Sequence, residues 1–345
     1  MKKKKIIITI ICILLVILFM FGLYFYGLTS VSKKNEPVTF VIESGTGSKK
    51  VIDNLYEAKL IKSKISGYIY ITLNKDIMIK AGTYELNRNY NIPKIFDILN
   101  DGKVIDNTIT VTFVEGKRIT DYMNVIKDRF GYTEDEILSV INDKDYLNKL
   151  INKYEFIDES ILNSDIYYAL EGYLFPATYE FYTDASIETI IDKMLAKTQN
   201  VLDNYSASIK NSSYSVHEIL TMASIIENET MYAEDRSMVS QVIYKRLGMN
   251  MSLGMDVTTY YGVQKALSEE LTKSDLDNEN AYNTRRTSFI GLPVGPICNP
   301  SEASIEAALN PSNTDYIYFY ADIKTGKLYF AKTYNEFQGL IQKYS

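Results

Sequence analysis

We expect the fold to be organised around one helix, whose last turns are the sequence Thr221-Met222-Ala223-Ser224-Ile225-Ile226-Glu227-Asn228-Glu229-Thr230. Upstream, Ser215-Val216-His217-Glu218 fits a capping box, in which the serine accepts a hydrogen bond from a first-turn amide and the glutamate bonds back. Apolar residues on nearly every face predict that this helix is buried. Glu227 and Glu229 follow at its carboxyl end, where the helix dipole disfavours anions. The pattern alone leaves catalysis, a salt bridge and a solvated helix end open.

The N-terminal segment predicts a membrane anchor. Lys2-Lys3-Lys4-Lys5 precedes the uncharged run Ile6–Leu28, which at about 1.5 Å per residue is long enough to cross a hydrocarbon core of about 30 Å. The lysines place residues 1–5 in the cytoplasm as a short tail, residues 6–28 in the cell membrane as a single pass, and the rest outside the cytoplasm. A cleaved signal peptide is the alternative. Tyr24-Phe25-Tyr26-Gly27 at the exit is more typical of an interfacial aromatic belt, which favours an uncleaved anchor.

Composition excludes several classes of function. The chain carries 43 acidic against 37 basic side chains, and four of the lysines precede the anchor, so the exterior is acidic and nucleic acid is not expected as a partner. Cys12 lies in the anchor and Cys298 beyond it, so they cannot form a disulfide or a cysteine metal site. His217 is the single histidine, which excludes a multi-histidine zinc site, and in a helix first turn we expect it to be solvated. No metal or cofactor is expected.

Two folded units are predicted beyond the anchor, and the fold class is α+β. Residues 38–105 are expected to form a small α/β module, with strands at 38–42 and 81–86 and helices at 49–60, 64–73 and 92–100. Residues 106–345 are expected to form a larger mixed α+β domain, with a strand at 109–113 and helices at 119–130, 133–140, 144–153, 186–210 and 238–247. Gly248 is the expected C-cap of the last of these. A short helix at 301–311, a hairpin of 316–320 with 327–330, and a helix from 334 complete the domain.

Three segments of the larger domain carry candidate binding residues. Leu170-Glu171-Gly172-Tyr173-Leu174-Phe175-Pro176 does not suit a helix interior, and is either a tightly packed core loop or a sugar-stacking wall. Asp256 and Thr258 would point the same way on an extended chain. Asn283 and Thr284 lie in a loop, and loops with fixed backbones are common places for substrate groups.

The order of these motifs resembles that of the endolytic murein transglycosylases, the MltG or YceG-like family. The resemblance runs from about residue 38 to the C-terminus and is carried by Leu170-Glu-Gly-Tyr-Leu-Phe-Pro, Ala223-Ser-Ile-Ile-Glu-Asn-Glu-Thr, Asp256-x-Thr258, Tyr282-Asn-Thr, Gly291-Leu-Pro-Val-Gly-Pro-Ile and Ala303-Ser-Ile-Glu-Ala-Ala-Leu-Asn-Pro. It implies a LysM-like module over 38–105 and a catalytic domain over 106–345. It also implies cleavage of the β-1,4 bond between N-acetylmuramic acid and N-acetylglucosamine inside peptidoglycan strands, leaving a 1,6-anhydro end.

By position, the resemblance makes Glu227 the catalytic acid and base. Glycosidic cleavage needs a proton on the leaving oxygen, and hydrolysis normally needs a second carboxylate. A lytic transglycosylase does not, because the C6 hydroxyl of the sugar attacks the anomeric carbon. The supporting or substrate-binding candidates are Glu229, Asp256, Thr258, Asn283, Thr284, Glu171 and Tyr173, with Tyr173 standing where the family often has Trp. For Asn283 and Thr284 the alternatives are a hydrogen bond to an acetamido group of the sugar and bracing of their loop.

Two alternatives stay open at the level of the sequence. A hydrolytic muramidase would use Glu227 together with Asp256 or Glu229 and admit water. A non-catalytic peptidoglycan-binding or division-complex scaffold would need only the anchor and the module. The expected partners are peptidoglycan glycan strands, the cell membrane, and the synthases of the elongation or division machinery.

Overall fold

The chain divides into two compact units, Met1–Asn107 and Thr108–Ser345. The computed structural model describes residues 2–43, 45–102, 108–322 and 324–344. We call the two parts the N-terminal unit and the C-terminal unit. The predicted mixed α+β class is confirmed in both.

The N-terminal unit consists of a long helix followed by a small α/β module. Its elements are α1 (Lys2–Leu28), β1 (Pro37–Ile42), α2 (Ser48–Glu57), α3 (Lys64–Leu73), β2 (Gly82–Asn87) and α4 (Ile92–Asp101). The two strands pair antiparallel, from Pro37 opposite Asn87 to Ile42 opposite Gly82. The helices cover one face of this ribbon, so the alternate inward side chains of the strands meet the apolar faces of the helices in a single core.

The long first helix has the composition of a membrane span. Within α1, Thr9–Leu28 has a mean hydropathy of 2.6 and is almost entirely exposed. Phe25 and Tyr26 are 58% and 65% exposed at its end, as expected for aromatic side chains at a membrane interface. The helix is therefore long and apolar enough to cross a bilayer.

Over its described residues, the C-terminal unit is mostly helical, with two short antiparallel ribbons. It comprises β3 (Thr108–Thr112), α5 (Ile119–Phe130), α6 (Glu134–Ile141), α7 (Lys144–Lys153), β4 (Thr178–Tyr182), α8 (Ile187–Asn204), α9 (Ser206–Asn211), α10 (Val216–Glu229), α11 (Arg236–Gly248), α12 (Asp256–Gly262), α13 (Lys273–Leu276), α14 (Glu302–Leu309), β5 (Tyr318–Ala321), β6 (Leu328–Ala331) and α15 (Tyr334–Tyr344). β3 pairs with β4, and β5 with β6. The predicted hairpin and the helices around it are confirmed.

The central helix α10 is the one predicted from its sequence. Ser215 and Glu218 form the capping box, with the Ser215 hydroxyl accepting from the Glu218 amide. Ile219, Ile225 and Ile226 have no exposed surface. The helix is enclosed because α11 and α14 pack along it, and this fixes the position of its carboxyl end.

Three local predictions are wrong. Gly248 lies inside α11, and the left-handed residue that follows the helix is Asn250, whose φ is 51°. Asn tolerates this conformation better than most side chains. Asp256 and Thr258 belong to α12 and not to an extended segment, so they do not share one side. His217 is buried and not solvated, because the C-terminal loops close over the first turn of α10.

Candidate active site

Glu227 lies where the end of α10 meets the start of α14. Its Oε2 accepts hydrogen bonds from the Ser301 amide at 3.0 Å, the Ser301 hydroxyl at 2.5 Å and the Ser304 hydroxyl at 2.6 Å. Ser301 is the N-cap of α14, so the carboxylate sits at the positive end of that helix dipole. The unfavourable dipole of α10 is thereby opposed by the favourable dipole of a second helix.

The other carboxylate oxygen of Glu227 faces a cation and a tight turn. Arg236 Nη2, from the start of α11, lies 3.7 Å from Oε1, and the Glu227 side chain is only 6% exposed. On the other side is Gly116, whose φ of 71° permits the turn between β3 and α5. A Cβ built on Gly116 would lie 3.5 Å from Glu227 Cγ and 3.9 Å from Oε1, so the turn forms a close wall of the site.

Asn299 ties this turn to the motif at residues 170–176. Its backbone carbonyl accepts from the Gly116 amide, and its own amide donates to the Lys117 carbonyl, both at 2.9 Å. Its side-chain Oδ1 accepts from the amides of Gly172 and Leu174, both at 3.1 Å. One fully buried side chain therefore holds the Gly116 turn against the rest of the core.

Glu171 is a buried carboxyl that positions its neighbours. It is 1% exposed, and it accepts hydrogen bonds from the Ile119 amide at 2.9 Å and the Tyr261 hydroxyl at 3.1 Å. Burial raises the pKa of Glu171 to about 8, against the lowering effect of these two donors. These contacts join the start of α5 to α12, so Glu171 acts inside the protein and not at an open surface.

Tyr173 is part of a buried pair with His217. Tyr173 has no exposed surface, and its hydroxyl lies 2.8 Å from His217 Nδ1. Because His217 Nε2 lies 2.8 Å from the carbonyl oxygen of Val294 and donates to it, Nδ1 accepts from the tyrosine. Of the two alternatives for this motif, the core loop is the one that the burial of Tyr173 supports. Among the described residues, the ring of His217 bonds to Tyr173 and Val294 and not to a serine.

Asn283 and Thr284 are also fully buried. Asn283 Oδ1 accepts from the Thr259 hydroxyl at 2.7 Å, and its Nδ2 donates to the carbonyls of Leu276, at the end of α13, and of Asn278. Thr284 Oγ1 lies 2.8 Å from Thr258 Oγ1. These polar groups bind the loop to α12, which supports the bracing role over contact with an acetamido group.

Glu229 and Asp256 line a separate cavity of about 500 Å³ that also contacts the β5–β6 ribbon and α15. Asp256 Oδ1 forms an ion pair with Arg285 Nη1 at 3.0 Å. Burial, and then the charge of Asp256, raise the pKa of Glu229 to about 8. Glu227 and Glu229 are two positions apart on α10, so they point to different sides of the helix.

Four residues at the site had not been singled out from the sequence: Arg236, Asn299, Ser301 and Ser304. A signal existed for Ser301, because it precedes a helix and fits an N-cap. The contact of that cap with Glu227 joins positions 74 residues apart, and local sequence patterns do not contain such a pairing.

Comparison with known proteins gives one consistent family. A family model described as the YceG-like family matches residues 40–343. A Bacillus subtilis protein named endolytic murein transglycosylase is 34% identical over 329 residues, covering 94% of this chain and 90% of the relative. A Streptococcus pneumoniae protein of the same name is 30% identical, covering 85% of this chain but 56% of its own length. The crystal structure of a YceG-like protein from Listeria monocytogenes superimposes with a TM-score of 0.64 at 34% identity, covering 89% of this chain and all of that one.

Proposed function

We propose that this chain is an endolytic lytic transglycosylase of peptidoglycan, and the premise is its family: the chain belongs to the YceG-like family, whose model spans residues 40–343. The proposed reaction breaks the β-1,4 bond between N-acetylmuramic acid and N-acetylglucosamine within a strand. The observation that carries the proposal is the placement of Glu227, a single carboxylate enclosed by hydroxyl and amide donors, Arg236 and the Gly116 turn.

In the first step Glu227 acts as the general acid. Oε2 already accepts three hydrogen bonds, so the proton given to the leaving oxygen departs from Oε1. As the glycosidic bond breaks, positive charge develops on the sugar. The donors of Ser301 and Ser304 and the charge of Arg236 stabilise the carboxylate that remains after proton transfer.

In the second step the same carboxylate acts as the general base. It accepts the proton of the C6 hydroxyl of N-acetylmuramic acid while that oxygen bonds to the anomeric carbon, which closes the 1,6-anhydro ring. The proton lost in the first step is regained, so the enzyme is regenerated without a water molecule being consumed.

The surroundings favour this mechanism over hydrolysis. A muramidase that uses two carboxylates needs the second one across the scissile bond. Asp256 is paired with Arg285, and Glu229 lines the separate cavity. Glu171 is enclosed in the core. These arrangements leave Glu227 to act alone.

We further propose that α1 is an uncleaved anchor and that the module after it is LysM-like. The β1-α2-α3-β2 order, with antiparallel strands enclosing two helices, supports the second point. An anchored enzyme would cut strands within reach of the membrane, where synthases extend them. Cleavage there would limit the elongation of nascent strands.

The test is the Glu227→Gln variant on purified glycan strands, with Glu229→Gln as the matched control two residues away. General acid catalysis contributes about 10²–10⁴-fold, so anhydro-product formation should fall at least that far in the first variant. The control should retain most activity, because Glu229 lines the cavity beside Asp256 and Arg285. Full cellular function of a Glu227→Ala strain would instead support the scaffold alternative.

A further inference from the structure

The helix α3 of the N-terminal unit presents a row of large apolar side chains outward. Ile65, Ile69 and Leu73 follow one another at a spacing of four, and they are 70%, 39% and 69% exposed. Residues at this spacing lie on one face of a helix. Met78, in the segment after α3, is 70% exposed. Exposed apolar rows of this kind mark surfaces that contact a partner or a membrane.

The contacts of α3 with α1 give the direction in which this face runs. Lys62 Nζ, just before α3, lies 2.9 Å from Thr29 Oγ1, just after α1. One turn further on, the Ser66 hydroxyl donates to the Tyr24 carbonyl at 3.3 Å. As α3 advances, its partners on α1 move back toward the membrane-spanning part. The two helices are therefore antiparallel where they touch.

Gly27 makes this contact close. A Cβ at that position would lie 2.0 Å from Ser66 Oγ and 3.0 Å from Ser63 Cβ. Any larger residue would force the helices apart. The start of α3 is thus packed directly against the last turn of α1.

Leu73 is seven residues beyond Ser66, which carries it up to about 10 Å further toward the membrane at 1.5 Å per residue. The partner residue of Ser66, Tyr24, already lies inside the apolar stretch Thr9–Leu28. The start of the exposed row on α3 therefore lies beside the apolar stretch of α1.

We propose that Ile65, Ile69 and Leu73 insert into the outer leaflet of the lipid bilayer, so that the module contacts the membrane directly. Tyr24 lies four residues, or about 6 Å, inside the end of the apolar stretch at Leu28, so the Ser66 end of α3 lies within the depth of about 5–10 Å to which interfacial helices bury their apolar faces. The inference rests on the proposed retention of α1 as an anchor. It adds a second contact, which fixes the height and the tilt of the module.

The experiment uses the full-length protein in vesicles of phosphatidylethanolamine and phosphatidylglycerol. A polarity-sensitive fluorophore is attached to a Leu73→Cys variant in a Cys12→Ala background, and quenching by lipids brominated along the acyl chain is measured. Cys298 has no exposed surface, so it stays unlabelled in the folded protein. Val41→Cys in the same background is the matched control, since Val41 is 56% exposed on β1. Label on the native Cys12, in the protein without other changes, reports on α1.

The inference predicts quenching and a shift of emission to shorter wavelength at position 73, and neither at position 41. Quenching at Cys12 without quenching at position 73 would overturn the insertion of α3 but would still support α1 as a membrane anchor. No quenching at Cys12 would contradict the proposed membrane anchor, and the inference that rests on it would fail as well. A wavelength shift at position 73 without quenching means that protein covers this face, a second copy or another membrane protein, and also overturns the inference.

Discussion

Replacing Glu171 by Gln should change how the stability of the protein depends on pH. Glu171 has a pKa of about 8 in the folded chain, against 4.5 for an ordinary glutamate. The folded state therefore holds this proton more tightly than the unfolded state does. When the folded state binds more protons, the free energy of unfolding falls as pH rises. The stabilisation is complete below pH 4.5 and is lost as pH rises toward about 8.

The size of the effect follows from the width of this window. Within it, one carboxyl group lowers the free energy of unfolding by about 1.4 kcal/mol per pH unit. Between pH 5 and pH 7 the loss amounts to roughly 2–3 kcal/mol. Glu229, whose pKa is also about 8, adds a slope of the same sign that the Glu171→Gln variant keeps. The difference between the two proteins isolates Glu171.

The variant suits this comparison because Gln stays neutral at every pH. Its amide oxygen can still accept from the Ile119 amide, and its nitrogen can donate to the Tyr261 hydroxyl. The assay is guanidinium unfolding of both full-length proteins in a mild detergent at pH 5, 6 and 7. Tyrosine emission can be followed because the chain has 29 Tyr and no Trp.

We expect the variant to gain stability relative to the wild type by about 1.4 kcal/mol for each pH unit. Parallel curves for the two proteins would refute the account, since they would mean that Glu171 ionises alike in the folded and unfolded chains. An opposite difference in slope would mean that the Glu171 carboxylate of the wild type is held charged in the core.

Two further variants probe the walls of the site. Ser304→Ala removes one hydrogen-bond donor to Glu227 Oε2. Since a hydrogen bond to a charged group contributes about 1.5–3 kcal/mol, kcat should fall roughly 10–100-fold. An unchanged kcat would show that this hydroxyl does not act on the carboxylate. Gly116→Ala places a methyl group 3.5 Å from Glu227 Cγ at a φ of 71°. In thermal unfolding, the left-handed conformation should lower the free energy of unfolding by about 1–2 kcal/mol. Turnover of glycan should fall as well. A Gly131→Ala variant is the control for the second case, because Gly131 has a φ of 79° with open space around it, so it should lose stability alone.

The sequence predicts the elements of this protein well because their signals are local. The capping box of Ser215 and Glu218 lies within four residues, and the apolar residues of α10 recur at helical spacing. Strand β1 and helix α3 follow from equally short patterns. In each case the local preference and the tertiary packing favour the same structure.

The composition of the site could not be predicted in the same way. Ser301 and Arg236 reach Glu227 only after α10, α11 and α14 have packed together. The solvated state expected for His217 was wrong because the Val294 loop covers it. The position of a residue in its own helix does not reveal what a distant segment places on it.

The central claim, that Glu227 works alone and without water, is tested most directly by the mass of the products. Purified glycan strands are digested with the full-length enzyme, and the new ends are identified by mass spectrometry. Our account predicts N-acetylmuramic acid ends that are one water lighter than reducing ends, present with the wild type and absent with Glu227→Gln. Reducing ends as the main product of the wild type would contradict it and would identify the enzyme as a muramidase.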